Sequence, residues 1–162
     1  MFPSPLLALA QVVLAEAREK KLRLATAESC TGGLIAGLLT EIPGSSDVLD
    51  RGFVVYSNRA KSDLLGVPGD LIADMGAVSE AVARAMAEGA VANSNAHMAV
   101  AVTGVAGPGG GTAMKPVGLV HIAAARERHS ILHEAHRFGD IGRTEIRLKS
   151  VEAALELVRL LL

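Results

Sequence analysis

The stretch Leu22-Arg-Leu-Ala-Thr-Ala-Glu-Ser-Cys-Thr-Gly-Gly-Leu-Ile-Ala-Gly-Leu-Leu-Thr-Glu-Ile42 decides how this chain is read. Its start, from Leu22, is apolar and predicts a strand over 22–27; the segment from Leu34 to Ile42 predicts a helix over 32–42. Between them lies a turn of small hydroxyl, thiol and glycine residues, Ser29-Cys-Thr-Gly-Gly33. A strand that enters such a turn and leaves as a helix sets reactive side chains beside backbone N–H groups lacking helical partners.

Outward from that unit, helices are expected over 5–20, 58–65, 79–94 and 143–161, with strands over 52–57, 97–104, 117–125 and 130–138. Helices alternating with strands imply a three-layer α/β/α sandwich on a mixed, largely parallel sheet. The short polar link Arg126 to His129 makes the last two strands a hairpin. Ser4 followed by Pro5 reads as a cap and first position of the opening helix. In the closing helix Ile146, Val151, Ala154, Leu155, Val158 and Leu162 share a core-facing side.

With 162 residues the chain is expected to form one domain, 1–162. Half of it is apolar, yet it holds three Phe, one Tyr and no Trp, so the core must be aliphatic and thin-layered. Sixteen basic against seventeen acidic residues leave a net charge of −1 with no clustered basic run, which argues against nucleic acid as a partner. No apolar run reaches the ~18 residues of a membrane span, and the N-terminus lacks the basic leader of a signal peptide. A single cysteine forms no internal disulfide and fits a reducing cytoplasm.

Ser29 is a candidate nucleophile, with the N–H groups of Thr31, Gly32 and Gly33 as candidate oxyanion donors. Helix capping is the commoner task for such residues. Cys30 competes, but a catalytic thiol usually pairs with a histidine, and His97, His121, His129, His133 and His136 stand in or beside the later strands without a turn motif. Any of these histidines could approach in space, but with none marked as a partner a lysine is the natural substitute as base, since Ser-Lys pairs are known variants of triad chemistry. Lys61 follows Gly52-Phe-Val-Val-Tyr-Ser-Asn58 where the second strand ends. If that strand lies beside the first, Tyr56, Asn58 and Lys61 reach Ser29 at the carboxyl end of the sheet, where ligands of open α/β sheets bind. Lys61 must then lose its proton near neutral pH. Otherwise it is an ordinary exposed lysine.

Two loops are long and glycine-rich, Pro43 to Asp47 and Gly104 to Gly118. The second follows Thr103, and its glycines, Gly104, Gly107, Gly109 and Gly110, expose N–H groups suited to phosphate or sugar. It lacks the Gly-Lys-Ser/Thr ending of a P-loop. Lys115, Arg143 and Arg147 can supply positive charge; for Arg147 a solvated or helix-end charge is the simpler reading.

Five ordered blocks, Thr26 to Gly33, Gly52 to Asn58 with Lys61, Gly76-Ala-Val-Ser79, Thr103-Gly-Val-Ala-Gly-Pro108 and Lys115-Pro-Val-Gly118, resemble the CinA C-terminal domain family. Its stand-alone members include nicotinamide-nucleotide amidases. The resemblance implies a usually dimeric α/β/α fold and hydrolysis of the carboxamide of nicotinamide mononucleotide, without metal or cofactor. It also implies a serine nucleophile, a lysine and a tyrosine at Ser29, Lys61 and Tyr56. Asn58, Thr103, Gly104, Gly107, Gly109, Gly110 and Arg143 become candidate substrate contacts. The chain departs from the family's common pattern at Ala113 and Met114, where an acidic pair is usual, and in an extra residue within Phe138-Gly-Asp-Ile-Gly-Arg143. The competing expectation is a non-catalytic nucleotide-binding module of the competence-damage type; the absence of a larger N-terminal domain favours an enzyme.

Overall fold

The computed structural model describes residues 1–162. The strands are β1 (Leu24–Glu28), β2 (Leu49–Val54), β3 (Met98–Gly104), β4 (Leu119–Arg126) and β5 (Leu132–Arg137). The helices are α1 (Ser4–Glu19), α2 (Leu34–Glu41), α3 (Asn58–Leu65), α4 (Gly69–Met75), α5 (Glu80–Ala92) and α6 (Arg143–Arg159). The strands form one sheet in the order β2-β1-β3-β4-β5. β1 pairs in parallel with β2 and β3, whereas β4 is antiparallel to both β3 and β5. All strands except β4 therefore point the same way, and the sheet is mixed, as expected.

The alternation of side chains along each strand builds two different cores. One face carries Leu24, Met98, Val100, Val102, Val120 and Ile122 against α1, α2 and α6. The other carries Ala25, Ala27, Ala99, Ala101, Ala123 and Ala125 against α3, α4 and α5. Alanine on this second face lets α5 lie close across β1, β3 and β4, so small residues substitute for the missing aromatics.

Several boundaries differ from those predicted, each for a local reason. α2 starts at Leu34 rather than 32 because Gly32 and Gly33 take φ of 59° and 98°, a left-handed region open to glycine and closed to a helix. β2 begins and ends earlier than 52–57, since Ser57 turns to cap α3, its hydroxyl accepting from Ala60 N–H at 3.0 Å. Ser4 is the first helical residue and Pro3 the cap, with no side-chain cap bond. α4 has no counterpart in the sequence reading.

β1 occupies the centre of the parallel part. The chain leaves it through α2 on one face to reach β2, then crosses through α3, α4 and α5 on the other face to reach β3. Connections departing on opposite faces open a crevice at the carboxyl end of β1, the usual ligand position in such sheets.

The close approach of α5 makes Gly89 a sensitive point, because a methyl group there would overlap the Leu65 carbonyl oxygen at the end of α3. An exposed helical Gly→Ala change ordinarily stabilises by about 1 kcal/mol. Gly89→Ala is expected to do the opposite and cost about 1–3 kcal/mol, a loss of several degrees in Tm by thermal unfolding.

Candidate active site

Ser29 follows directly on the last residue of β1, and its N–H donates to the Val102 carbonyl of β3 at 3.0 Å. This extends the ladder by one residue and ties the turn to the sheet. Next to it, Lys61 leaves the first turn of α3 and points inward, only 1 % exposed and among the largest fully buried side chains. Its Nζ lies 3.1 Å from Ser29 Oγ, 3.0 Å from the Val55 carbonyl and 3.2 Å from the Tyr56 carbonyl. No carboxylate forms an ion pair with it. Burial penalises the ammonium form and lowers the Lys61 pKa from its ordinary value, with the nearby thiol opposing the shift.

The three neighbours of Nζ can all accept, and the Ser29 hydroxyl can also donate, so the site accommodates either an ammonium or a neutral amine. In the neutral form, which burial favours, the two N–H bonds of the NH2 group satisfy the Val55 and Tyr56 carbonyls. The lone pair then remains for the Ser29 hydroxyl proton. In that form the contact between Ser29 and Lys61 meets the distance that a base and a nucleophile require of each other.

Cys30 is 6 % exposed and packs in the core. Burial pushes its thiol up to about 12, its own backbone bond partly opposing this and the Glu28 carboxylate reinforcing it. A thiol so unwilling to ionise is a poor nucleophile at neutral pH. None of the five histidines lines the cavity beside Ser29; His121 and His133 bond to each other at 2.9 Å.

That cavity measures about 230 Å3 and is bounded by Ser29, Cys30, Tyr56, Asn58, Lys61, Ala77, Val78, Thr103, Gly104, Ala106 and Arg143. No acidic side chain lines it. Thr103, 1 % exposed, donates its hydroxyl to the Ala77 carbonyl at 2.9 Å and fastens the Gly76 to Ser79 loop to β3. Arg143, the first residue of α6, donates to the Gly107 carbonyl at 2.7 Å and approaches the Tyr56 hydroxyl at 3.4 Å. A larger hollow of about 320 Å3 at the amino ends of β1 and β3 is lined by His97, Arg126 and Arg128 but holds no nucleophile.

Other residues named from the sequence are placed differently. The Tyr56 side chain is 63 % exposed at the rim, and its backbone carbonyl, not its phenol, meets Lys61. Gly107 is buried, but Gly109 and Gly110 are exposed on the loop and do not line the cavity. The Gly32 N–H, expected to be free, donates to the Ser29 carbonyl at 3.0 Å because the chain makes a tight turn before α2. The N–H groups of Cys30, Thr31 and Gly33 have no backbone acceptor, and of these residues only Cys30 borders the cavity.

Two residues of this region make contacts that were not expected from the sequence. Glu28 is fully buried and accepts from the Thr31 hydroxyl at 2.6 Å and from the N–H groups of Ile35 and Ala36 at 2.9 and 3.1 Å. It occupies the start of α2, which was expected to present free donors. Arg147, read as a solvated or helix-end charge, instead donates to the carbonyls of Cys30 and Thr31 at 3.0 and 3.3 Å. A signal was present: Arg143 and Arg147 fall four residues apart near the start of α6, where the helix dipole disfavours cations.

Comparison with known proteins agrees with this architecture. The CinA C-terminal domain profile matches residues 6–162. A CinA-like protein of Synechococcus sp. (strain RCC307) is 54% identical over 153 residues, covering 94% of this chain and 36% of the relative. Another, from Anaeromyxobacter sp. (strain K), is 49% identical over 155 residues, 95% of this chain and 37% of the relative. The chain therefore spans little more than a third of these relatives. The crystal structure of the competence/damage inducible protein CihA from Agrobacterium tumefaciens superposes with a TM-score of 0.98 at 55% identity, over 99% of this chain and 98% of that one. A CinA superfamily protein from Escherichia coli gives 0.92 at 30% identity, over 100% and 94%. With its fold, its full-length match and its level of identity in accord, the chain belongs to the CinA C-terminal domain family.

Proposed function

We propose that the chain is an amidase that hydrolyses the carboxamide of nicotinamide mononucleotide to nicotinate mononucleotide and ammonia. The observation that carries this reading is the buried Lys61 amine 3.1 Å from Ser29 Oγ, with two carbonyls taking its N–H bonds and no carboxylate holding it charged. A surface lysine has no need of such a position, and the desolvation it costs is repaid when the amine is required neutral.

In this mechanism Ser29 Oγ attacks the carboxamide carbon while its proton passes to Lys61 Nζ. The tetrahedral oxyanion is met by unpaired backbone donors of the turn, Cys30 N–H first among them because Cys30 borders the cavity, with Thr31 and Gly33 behind it. Collapse breaks the C–N bond as Lys61 returns the proton to the departing nitrogen, releasing ammonia and leaving an ester on Ser29. Water, deprotonated by the same amine, then cleaves the ester and restores the Ser29 hydroxyl.

A cavity of about 230 Å3 lies below the ~300–1,000 Å3 of sites that engulf a whole drug-sized ligand. It suits the amide-bearing ring, with the ribose and phosphate extending over the mouth. There Arg143, Asn58 and Tyr56 stand at the rim, Gly104 belongs to the wall, and Arg143 donates to the Gly107 carbonyl just outside it. An anionic group is favoured at a mouth that offers a guanidinium and no carboxylate.

Ammonia release from nicotinamide mononucleotide, measured against nicotinamide, its riboside and NAD, tests the reading. Ser29→Ala is expected to abolish turnover and Cys30→Ala to keep most of it. No turnover of any amide by folded wild-type protein would favour a nucleotide-binding module instead. Because the neutral amine is the base, kcat/KM is expected to rise with pH along a limb whose midpoint lies below the 10.5 of an ordinary lysine. The same depressed pKa means the unfolded chain binds more protons between the two values, so this group's contribution to stability also rises with pH across that window. A limb at the ordinary lysine value in a pH–rate profile would remove Lys61 as the base.

A further inference from the structure

The turn from Ser29 to Gly33 has to hold its N–H groups in place without the help of a regular helix. The Ser29–Cys30 peptide is pinned where the Ser29 carbonyl accepts from Gly32 N–H. The next two carbonyls, of Cys30 and Thr31, both go to one guanidinium, with Arg147 Nε at 3.0 Å and Nη2 at 3.3 Å. A trans peptide is planar, its C=O and N–H pointing in opposite directions. Fixing the Ser29 carbonyl therefore aims the Cys30 N–H, and fixing the Cys30 carbonyl aims the Thr31 N–H. Both of these N–H groups lack a backbone acceptor.

Arg147 is unusual in what it does not do. It forms no ion pair with a carboxylate, while most other arginines that bond side chains here do so with Asp or Glu. Its forked donors are instead spent on two adjacent backbone oxygens, a geometry that lysine's single ammonium cannot copy. It reaches them from α6, more than a hundred residues along the chain. From the opposite side the buried Glu28 carboxylate grips the Thr31 hydroxyl at 2.6 Å and the start of α2. Gly32, with φ of 59°, passes between them, and a methyl group there would stand 3.1 Å from Arg147 Nη2.

From this we infer that Arg147, buttressed by Glu28, is a positioning residue for the nucleophile turn: the Thr31 carbonyl it holds shares a peptide with Gly32 N–H, whose bond to the Ser29 carbonyl aims Cys30 N–H at the developing oxyanion. Its charge also polarises the peptides it binds and strengthens their N–H groups as donors. The inference rests on the amidase reading, because it needs Ser29 to form a tetrahedral intermediate.

The test compares wild type with Arg147→Met, which keeps an aliphatic stem, and Arg147→Lys. Ammonia release, labelling of Ser29 by a small fluorophosphonate and thermal unfolding are followed together. In folded Arg147→Met, kcat is expected to fall about 10²-fold, as for loss of an oxyanion donor, with KM little changed and labelling slowed in parallel. Arg147→Lys is expected to recover part of the rate yet remain about tenfold below wild type, the worth of one charge-assisted hydrogen bond. If Arg147→Met does not fold, the lysine variant decides alone. Either variant matching wild type in kcat and labelling while losing only Tm would show a merely structural arginine and overturn the inference. A wild type that neither turns over nor labels would bring down the amidase reading, and the positioning role with it.

Discussion

A primary amine buried without a counter-charge governs the arrangement of this protein's candidate site. Lys61 sits within hydrogen-bond distance of Ser29 Oγ and of two carbonyls that close the end of β2. Removing an ammonium from water costs several kcal/mol when no partner compensates, and shedding the proton relieves that cost. Everything around the site preserves this condition: the cap at Ser57 starts α3 so that Lys61 turns inward, and the parallel pairing of β2 with β1 brings the strand ends level. Thr103 closes the far wall by fastening the Ala77 loop.

The second organising element is the turn itself, held from both sides. Glu28 takes the amide groups at the start of α2, so that end of the helix is occupied by the protein's own carboxylate. Arg147 takes the carbonyls of the turn from α6. What is left without a backbone acceptor is the N–H of Cys30, at the cavity next to Ser29, and those of Thr31 and Gly33 away from it. On the alanine-faced side of the sheet α5 packs close, and the loop that leads into it walls the cavity with Ala77 and Val78.

Much of this was legible from residue order. The strand-turn-helix unit, the hairpin of β4 and β5 and the α/β/α layering follow from local pattern, and Lys61 was a candidate partner of Ser29 conditional on β2 lying beside β1. Rim and loop positions were harder. The place of Tyr56 on an edge strand, with its phenol exposed and its carbonyl turned to Lys61, depends on where β2 ends. Gly109 and Gly110 look like cradle residues in sequence but stand outside the cavity, because the loop's path is set by Gly107, Lys115 and their partners on other elements.

By itself the sequence determined most of the elements, their alternation and the candidates for a nucleophile and a base, since these depend on neighbours a few residues apart and on what a base or nucleophile can be. Tertiary structure alone decided the burial of Lys61 beside Ser29, the burial of Cys30 and the partners of Glu28 and Arg147. Each of these is a matter of burial or of hydrogen bonds assembled by folding. A lysine exposed on a short helix and one enclosed by β1 and β2 read alike in sequence, and only the loss of water around the second changes what it can do.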